Sequence, residues 1–144
     1  MKKITIVILV VLAAICLCSC ATKNVTYPRI YTITEESVNA VLKDSLSKIP
    51  ADAVAAFGGE EALENAIRKK IPANFLTITL INESRATMMV SLEGSTDVVE
   101  GTVNEGVVTF EIEGVKDSYK ISKNFSNITG NWYGVDVKLA YDEI

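Results

Sequence analysis

Few side chains in this sequence have the chemistry needed for catalysis or for metal binding. The chain has no histidine, and its three cysteines, Cys16, Cys18 and Cys20, lie together in one apolar stretch near the N-terminus. Residues 21–144 therefore lack the commonest general base, a thiol nucleophile and the imidazole and thiolate ligands that zinc prefers. Only carboxylate, hydroxyl and lysine chemistry remains for this part of the chain.

Carboxylates are the most numerous of the remaining reactive groups. Asp97 and Glu100 are close in sequence, which makes them candidates for a hydrolytic pair or for calcium ligands. A glycosidase needs two carboxylates that face each other across a cleft, and one of them must have its pKa raised by burial. Most acids here occupy outward positions of predicted strands, and no spacing matches a known calcium loop. We therefore predict a non-enzymatic protein without a metal or a cofactor.

The N-terminal segment has the pattern of an export signal. Lys2 and Lys3 give it a positive start, and the run from Ile4 to Leu17 carries no charge. This run is shorter than the roughly 20 apolar residues that cross a bilayer, and it suits the hydrophobic region of a secretory signal. Residues 1–19 are therefore predicted to be a signal peptide; an uncleaved membrane anchor is the alternative.

The tetrapeptide Leu17-Cys18-Ser19-Cys20 resembles the lipobox of bacterial lipoproteins, although cysteine is an unusual occupant of its second position. The resemblance implies that the Cys20 sulfur receives a diacylglyceryl group and that cleavage leaves Cys20 as the first residue of the mature chain. Two or three acyl chains, such as palmitate, would then hold the protein on a membrane. Ala21, in place of an aspartate, implies the outer membrane, and the lack of a following acidic run favours a position facing the periplasm.

The charge of the chain limits its partners. Removing residues 1–19 removes two of the 14 basic residues and none of the 18 acidic ones, so the net charge changes from −4 to −6. Nucleic-acid binders carry a basic surface, which this chain lacks. An acidic domain also repels an anionic membrane surface, so the lipid on Cys20 is the predicted membrane attachment.

Residues 20–31 are predicted to form the lipidated cysteine and a flexible tether, and residues 32–144 a single domain that begins with helices. The helix starts are marked by Thr32 with Glu35, by Asp52, and by Glu60 with Glu61. The third of these helices has Leu63, Ala66, Ile67 and Ile71 on one side. Its basic run, residues 68–70, is interpreted as a favourable helix end; contact with a lipid headgroup is the alternative.

From Phe75 onward the apolar period changes from 3.6 to 2, which indicates strands. Six strands are predicted, in the segments FLTITLI, SRATMMVSL, TDVVEGTV, VVTFEIE, SYKIS and YGVDVKLAY, with KNFSNITGN as a loop before the last. Short connections imply antiparallel neighbours. The predicted fold class is therefore α+β, with two to three N-terminal helices packed on a six-stranded antiparallel meander. The alternative is a meander curled into a partial barrel that the helices close.

Helices followed by a long meander resemble the small lipocalin-like lipoproteins of gut bacteria. The likeness is one of fold order alone, so it carries no function.

Two sets of residues are candidates for binding. If the helices and the sheet enclose a ligand cavity, its lining is predicted to include Met88, Val90, Phe110 and Val137. Trp132 shares its strand phase with Asp136 and is expected to be partly exposed, where it could form a binding platform with Phe125; packing beneath the loop as part of the core is the alternative.

The leading interpretation is a lipid-anchored envelope protein that binds an apolar small ligand or a partner protein. A structural component of an envelope complex with a solid core is the first alternative, and a carboxylate-dependent hydrolase is the second.

Overall fold

The computed structural model describes residues 25–143. In chain order the elements are β1 (Arg29–Ile33), α1 (Glu35–Ser47), α2 (Ala51–Phe57), α3 (Glu60–Lys70), β2 (Leu76–Leu80), β3 (Arg85–Leu92), β4 (Ser95–Asn104), β5 (Val107–Ile112), β6 (Val115–Ile121), β7 (Asn127–Trp132) and β8 (Val135–Tyr141).

The eight strands form one closed antiparallel barrel in sequence order. Strand β1 closes it, because β1 pairs with β2 through Tyr31 and Ile78 and with β8 through Tyr31 and Tyr141. The predicted α+β class is confirmed, and the barrel alternative describes the sheet better than an open meander. The predicted number of six strands is wrong, since β1 and β7 are additional.

The two additional strands had weak sequence signals. Strand β1 follows Pro28 and overlaps the predicted tether at residues 29–31, and β7 contains two asparagines and a glycine. Neither segment has the clean apolar alternation that identifies a strand from sequence. Their pairing comes from neighbours that the barrel brings to both of their edges.

The three helices connect β1 to β2, so they all lie at one end of the barrel, called here the helical end. Thr34 is the N-cap of α1, and its Oγ1 accepts a hydrogen bond from the Ser37 amide at 3.3 Å. The prediction of Thr32 as the cap is wrong, because Thr32 is paired within β1. Helix α1 contributes the buried Val38 and Leu42 to the core, whereas α2 and α3 contribute no buried residue.

Four hairpins share one turn chemistry. Each connects its strands by two residues of positive φ, and the second is always glycine: Glu93-Gly94, Glu105-Gly106, Glu113-Gly114 and Tyr133-Gly134. Two positive φ values are the property of the type I′ turn, whose twist matches that of the flanking strands. These turns set the strand register, and therefore they decide which side chains enter the barrel.

Two aromatic rings fill the space left by two glycines inside the barrel. Phe110 lies directly across from Gly101, and Tyr119 lies directly across from Gly130. A Cβ atom on Gly130 would lie only 2.7 Å from the Tyr119 Cε1 atom. The two rings also pack edge to face, with centroids 5.9 Å apart. Bulky rings over glycines therefore fill the barrel where neighbouring strands carry no side chain.

The other end of the barrel is closed by a cluster around Arg29. Its guanidinium lies 3.7 Å from the centroid of the Tyr141 ring and donates a hydrogen bond to the Phe125 carbonyl at 3.0 Å. The Tyr31 hydroxyl donates to the same carbonyl at 2.8 Å. These contacts join β1 to the loop before β7 and to the end of β8, and so they support barrel closure.

Replacing Gly130 by Ala is expected to destabilise the barrel by about 1–3 kcal/mol, because the new methyl group overlaps the Tyr119 ring and the core must shift. Urea unfolding followed by circular dichroism measures this change. Thr129→Ala, at the exposed neighbouring position of the same strand, is the matched control and should change stability by less than about 0.5 kcal/mol. Equal effects of the two substitutions would contradict the packing described here.

Candidate apolar binding site

The residues predicted to line a cavity lie in the packed interior of the barrel. Met88 and Phe110 are both completely buried, and Val137 is nearly so. All three belong to one continuous core cluster, against which the half-buried Val90 packs. The surface grooves of residues 25–143 described below are lined by neither Met88 nor Phe110. The rings of Phe110 and Tyr119, which face the two glycines, occupy the middle of the barrel. This packing explains why Met88 and Phe110 do not line these grooves.

The expectation that Trp132 is partly exposed is wrong: it is 9% exposed, whereas Tyr133 is 74% exposed. The prediction treated Tyr133 and Gly134 as part of the last strand. They form instead the turn between β7 and β8, and the inward phase of β7 runs through Ile128, Gly130 and Trp132. Trp132 therefore packs in the core, edge to face with Phe75 at 6.2 Å between ring centroids.

Phe125 does not form a platform with Trp132. It lies in the loop before β7, with a positive φ of 57°, and is half-buried against the core. The start of β7 and its end at Trp132 are at opposite ends of the barrel. The two aromatic residues that the sequence placed together are therefore separated by the length of a strand.

A largely apolar groove lies between α3 and the tip of the β3–β4 hairpin, and it is called here the α3 groove. It has a volume of about 570 Å³. Its lining consists of the end of α2, one side of α3 and the hairpin, through Phe57, Leu63, Ala66, Ile67, Lys70, Ile71, Leu92, Glu93 and Ser95. Leu63, Ile67 and Ile71 are half-buried, and Phe57 is 54% exposed. Apolar side chains are thus gathered here without being covered.

A smaller pocket adjoins the α3 groove and is called here the Trp pocket. It measures about 220 Å³ and lies between α1 and the ends of β3, β7 and β8. Ile71 and Leu92 line both spaces. Phe75, Trp132 and Tyr133 line the Trp pocket beyond them. The two spaces therefore adjoin at these two side chains, at the helical end of the barrel.

An exposed aromatic side chain lines each of the two spaces, the α3 groove and the Trp pocket. Among the large apolar residues that are exposed in residues 25–143, the aromatic ones are Phe57 and Tyr133. Phe57 lines the α3 groove, and Tyr133 lines the Trp pocket. Tyr133 also has a φ of 46°, a left-handed conformation that bulky residues rarely adopt. The type I′ turn requires this conformation, and it leaves the Tyr133 ring exposed beside the Trp pocket.

Both spaces also have charged side chains in their lining. The Lys70 Nζ atom lies 3.9 Å from the Glu93 Oε1 atom at the rim of the α3 groove, and both side chains are mostly exposed. Lys48 and Asp44 line the Trp pocket and form an exposed ion pair of 2.8 Å there. Exposed ion pairs contribute little to stability. These charges are therefore available for a ligand at small energetic cost.

A second groove is larger but polar. It measures about 760 Å³ and lies beside α1 on the outer face of β7 and β8. Its lining includes Glu36, Asn131, Asp136 and Lys138. Asn131 donates to Asp136 at 3.2 Å, and Lys138 is bound through its amide to the Ser37 hydroxyl at 2.8 Å. Because its lining is more polar than that of the α3 groove, this groove is a weaker candidate for an apolar ligand.

The carboxylates considered for catalysis do not converge. Asp97 pairs with Val90 and Glu100 pairs with Thr87 across the β3–β4 ladder, so their side chains point to opposite faces of the sheet. Both acids are exposed. Within residues 25–143, no group of three or more histidine, cysteine or acidic side chains is arranged to hold a metal ion. No helix in that range has the length and apolar character needed to span a bilayer.

Tyr119 is an unusual polar group in the core. The residue is completely buried, and its hydroxyl has no hydrogen-bond partner among the protein groups of residues 25–143. Burial raises the pKa of this hydroxyl to about 12, and the nearby Asp117 and Tyr133 act in the same direction. A buried hydroxyl without a partner destabilises the fold. The hydroxyl therefore does not explain the presence of a tyrosine at this position. The stabilising contribution of Tyr119 comes from its ring, which fills the space over Gly130.

No protein-family profile matches the sequence, and neither a curated protein nor a solved structure shows significant similarity to the chain. Function is therefore inferred from the chemistry of the site itself. Of the candidate residues from the sequence, Cys20 lies outside the described residues.

The residues of the α3 groove were not identified as a site from the sequence. The apolar side of α3 was recognised, but it was assigned to covering the sheet. Phe57 had one available signal, since it is a large apolar residue directly before Gly58 and Gly59, where a helix ends and exposure is high. Leu92 had none, because its apolar partners in the groove, such as Ile67 and Ile71, are far from it in sequence.

Replacing Tyr119 by Phe is expected to raise the free energy of unfolding at neutral pH by about 1 kcal/mol, because a buried unpaired hydroxyl is removed. The effect should depend on pH. The hydroxyl has a pKa of about 12 in the folded protein and about 10 in the unfolded chain. Because the unfolded chain ionises at a lower pH than the folded protein, this titration leaves the parent's free energy of unfolding unchanged below about pH 10 and lowers it as the pH rises towards 12.

Urea unfolding of the parent and of Tyr119→Phe between neutral pH and about pH 12 measures both effects. The variant should lose less stability over the alkaline range than the parent. Tyr133→Phe, which removes an exposed hydroxyl, is the control and should follow the parent closely. Parallel curves for parent and Tyr119→Phe would show that Tyr119 is not the buried group assigned here.

Proposed function

We propose that this protein is a lipid-anchored protein of the cell envelope whose barrel domain binds an apolar small ligand in the α3 groove, without catalysis. The observation that carries the proposal is the packing of α3. Its apolar side faces the barrel rim, yet α2 and α3 contribute no fully buried side chain. The apolar residues of this helix pair therefore remain available for a ligand.

The energetics favour an apolar occupant. Covering a half-exposed leucine or isoleucine fully yields roughly half of the 1.5–3 kcal/mol that complete burial of such a side chain contributes. Leu63, Ile67, Ile71 and Leu92 are all half-buried in the groove, and Phe57 is more exposed. The volume of about 570 Å³ lies within the roughly 300–1,000 Å³ of small-molecule sites.

A structural role in an envelope complex is the second candidate. It is supported by the filled barrel interior and by the exposed Phe57 and Tyr133, since exposed aromatic residues are common anchors in protein interfaces. A hydrolase has less support, because Asp97 and Glu100 lie on opposite faces of the sheet.

The attachment to the membrane is proposed on the lipobox pattern, with Cys20 acylated at the outer membrane and the domain facing the periplasm. Strand β1 begins at the end of the barrel opposite the helices. A tether that enters there would direct the helical end, with its groove, away from the membrane.

Replacing Ala66 by Phe is expected to weaken binding of an apolar probe about tenfold, which corresponds to about 1.4 kcal/mol, because the ring fills the α3 groove. The probe is uncharged N-phenyl-1-naphthylamine. Trp132, the one tryptophan of the chain, lines the adjoining pocket and serves as the energy donor.

The matched control is Ala62→Phe, at an exposed position of the same helix, which should bind the probe as the parent does. If the parent shows no saturable energy transfer, or if Ala66→Phe binds equally well, the ligand-binding proposal fails. Crosslinking in the envelope from a photoreactive residue at position 57 would then test the structural role.

Replacing Cys20 by Ser is expected to release the protein from the membrane fraction, because the acylated sulfur is lost. Cys18→Ser is the matched control, and it should remain membrane-bound with the mass of an acylated chain. Fractionation and intact-mass measurement provide the readout. Retention of Cys20→Ser on the membrane with an unchanged mass would contradict lipidation at this position.

A further inference from the structure

We propose that the ligand of the α3 groove is a single-chain anionic amphiphile, such as an unbranched fatty acid. Its carboxylate would pair with Lys70, and its chain would run past Ile71 and Leu92 towards Trp132. This inference rests on the proposed function and specifies the chemical class and the orientation of its ligand.

The shape of the site indicates an elongated ligand. The α3 groove and the Trp pocket share the side chains of Ile71 and Leu92. The larger space lies on the α3 side, and the smaller one, of about 220 Å³, is lined by Phe75 and Trp132. A ligand with a narrow acyl chain would extend past Ile71 and Leu92 and contact both spaces. A bulky ligand would be confined to the larger space.

The shared side chains are held in place by the fold. Ile71 ends α3, where its amide donates to the Ile67 carbonyl at 3.0 Å. Leu92 is the last residue of β3 and is paired with Ser95 across the hairpin turn. Both positions are therefore set by backbone hydrogen bonds, and they define the path between the two spaces.

The charge at the rim indicates an anionic head group. The last turn of α3 carries Arg68, Lys69 and Lys70, the single run of three consecutive cations in residues 25–143. Three positive charges outweigh the partial charge of roughly −0.5 at a helix C-terminus. The protein as a whole has a net charge of −4, yet this basic run gives a local positive charge beside the apolar groove.

Lys70 is the cation of this run that lines the groove. Arg68 is held by Glu64 at 2.8 Å. Glu93 is the carboxylate on the same rim, but its Oε1 atom lies 3.9 Å from the Lys70 Nζ atom, and both side chains are about 70% exposed, at 73% and 69%. So loose a pair leaves the ammonium group free to bind a ligand carboxylate.

The first test compares dodecanoic acid with dodecan-1-ol, which has the same chain without the charge. Displacement of N-phenyl-1-naphthylamine measures both affinities. We expect Lys70→Gln to weaken binding of the acid about two- to fivefold, the range of an exposed ion pair, and to leave binding of the alcohol unchanged. Lys69→Gln, a neighbouring exposed cation that does not line the groove, should affect neither ligand.

The second test measures orientation by quenching of Trp132 fluorescence, since a bromine atom quenches a nearby indole. A dodecanoic acid brominated at its terminal carbon should quench Trp132 more strongly, at equal occupancy, than one brominated beside the carboxylate. Stronger quenching by the second compound would reverse the proposed orientation and overturn the inference.

The two proposals can fail separately. If the acid and the alcohol bind equally in the parent and in Lys70→Gln, and both are weakened by Ala66→Phe, the groove binds apolar ligands but the anionic class is wrong. If neither compound displaces the probe from the α3 groove, both the ligand class and the proposed binding function are wrong.

Discussion

Closure of the barrel by β1 is the constraint on which the rest of the structure depends. This five-residue strand pairs with β2 on one side and with β8 on the other, and it joins residues that are more than a hundred positions apart, such as Tyr31 and Tyr141. Because all three helices lie between β1 and β2, closure requires them to occupy one end of the barrel. The α3 groove exists because that end is covered by helices that only partly bury their apolar sides.

The filling of the barrel determines where a ligand could bind. Phe110 and Tyr119 occupy the space over Gly101 and Gly130, so the middle of the barrel is packed rather than hollow. The Tyr119 hydroxyl is buried there without a hydrogen-bond partner among residues 25–143, which indicates that the packing of its ring outweighs the energetic penalty of an unpaired polar group. Because the interior is occupied, a ligand would have to bind at the surface. The α3 groove, between α3 and the β3–β4 hairpin, provides accessible apolar side chains there.

Much of the fold could be predicted from local patterns, and the failures have specific causes. The third helix and strands β2, β3 and β5 follow clear apolar periods, which local physics is sufficient to interpret, whereas the alternation in β4 is weaker. Strands β1 and β7 were missed because their residues are polar or irregular and become strands through pairing on both edges. The Trp132 error came from counting strand phase through Tyr133 and Gly134, where a turn resets the alternation.

By itself, the sequence determined what depends on neighbouring residues: the export signal pattern, the lipobox resemblance at Cys20, the lack of histidine and the apolar side of α3. It also contained the basic run at residues 68–70 and the position of Phe57 directly before two glycines. Only the tertiary structure decided that Ile71 and Leu92 line two adjoining spaces, one of which Trp132 also lines, and that Met88 and Phe110 fill the core instead of lining a cavity. The physical reason is that barrel closure and hairpin register bring together side chains whose separation along the chain carries no local signal.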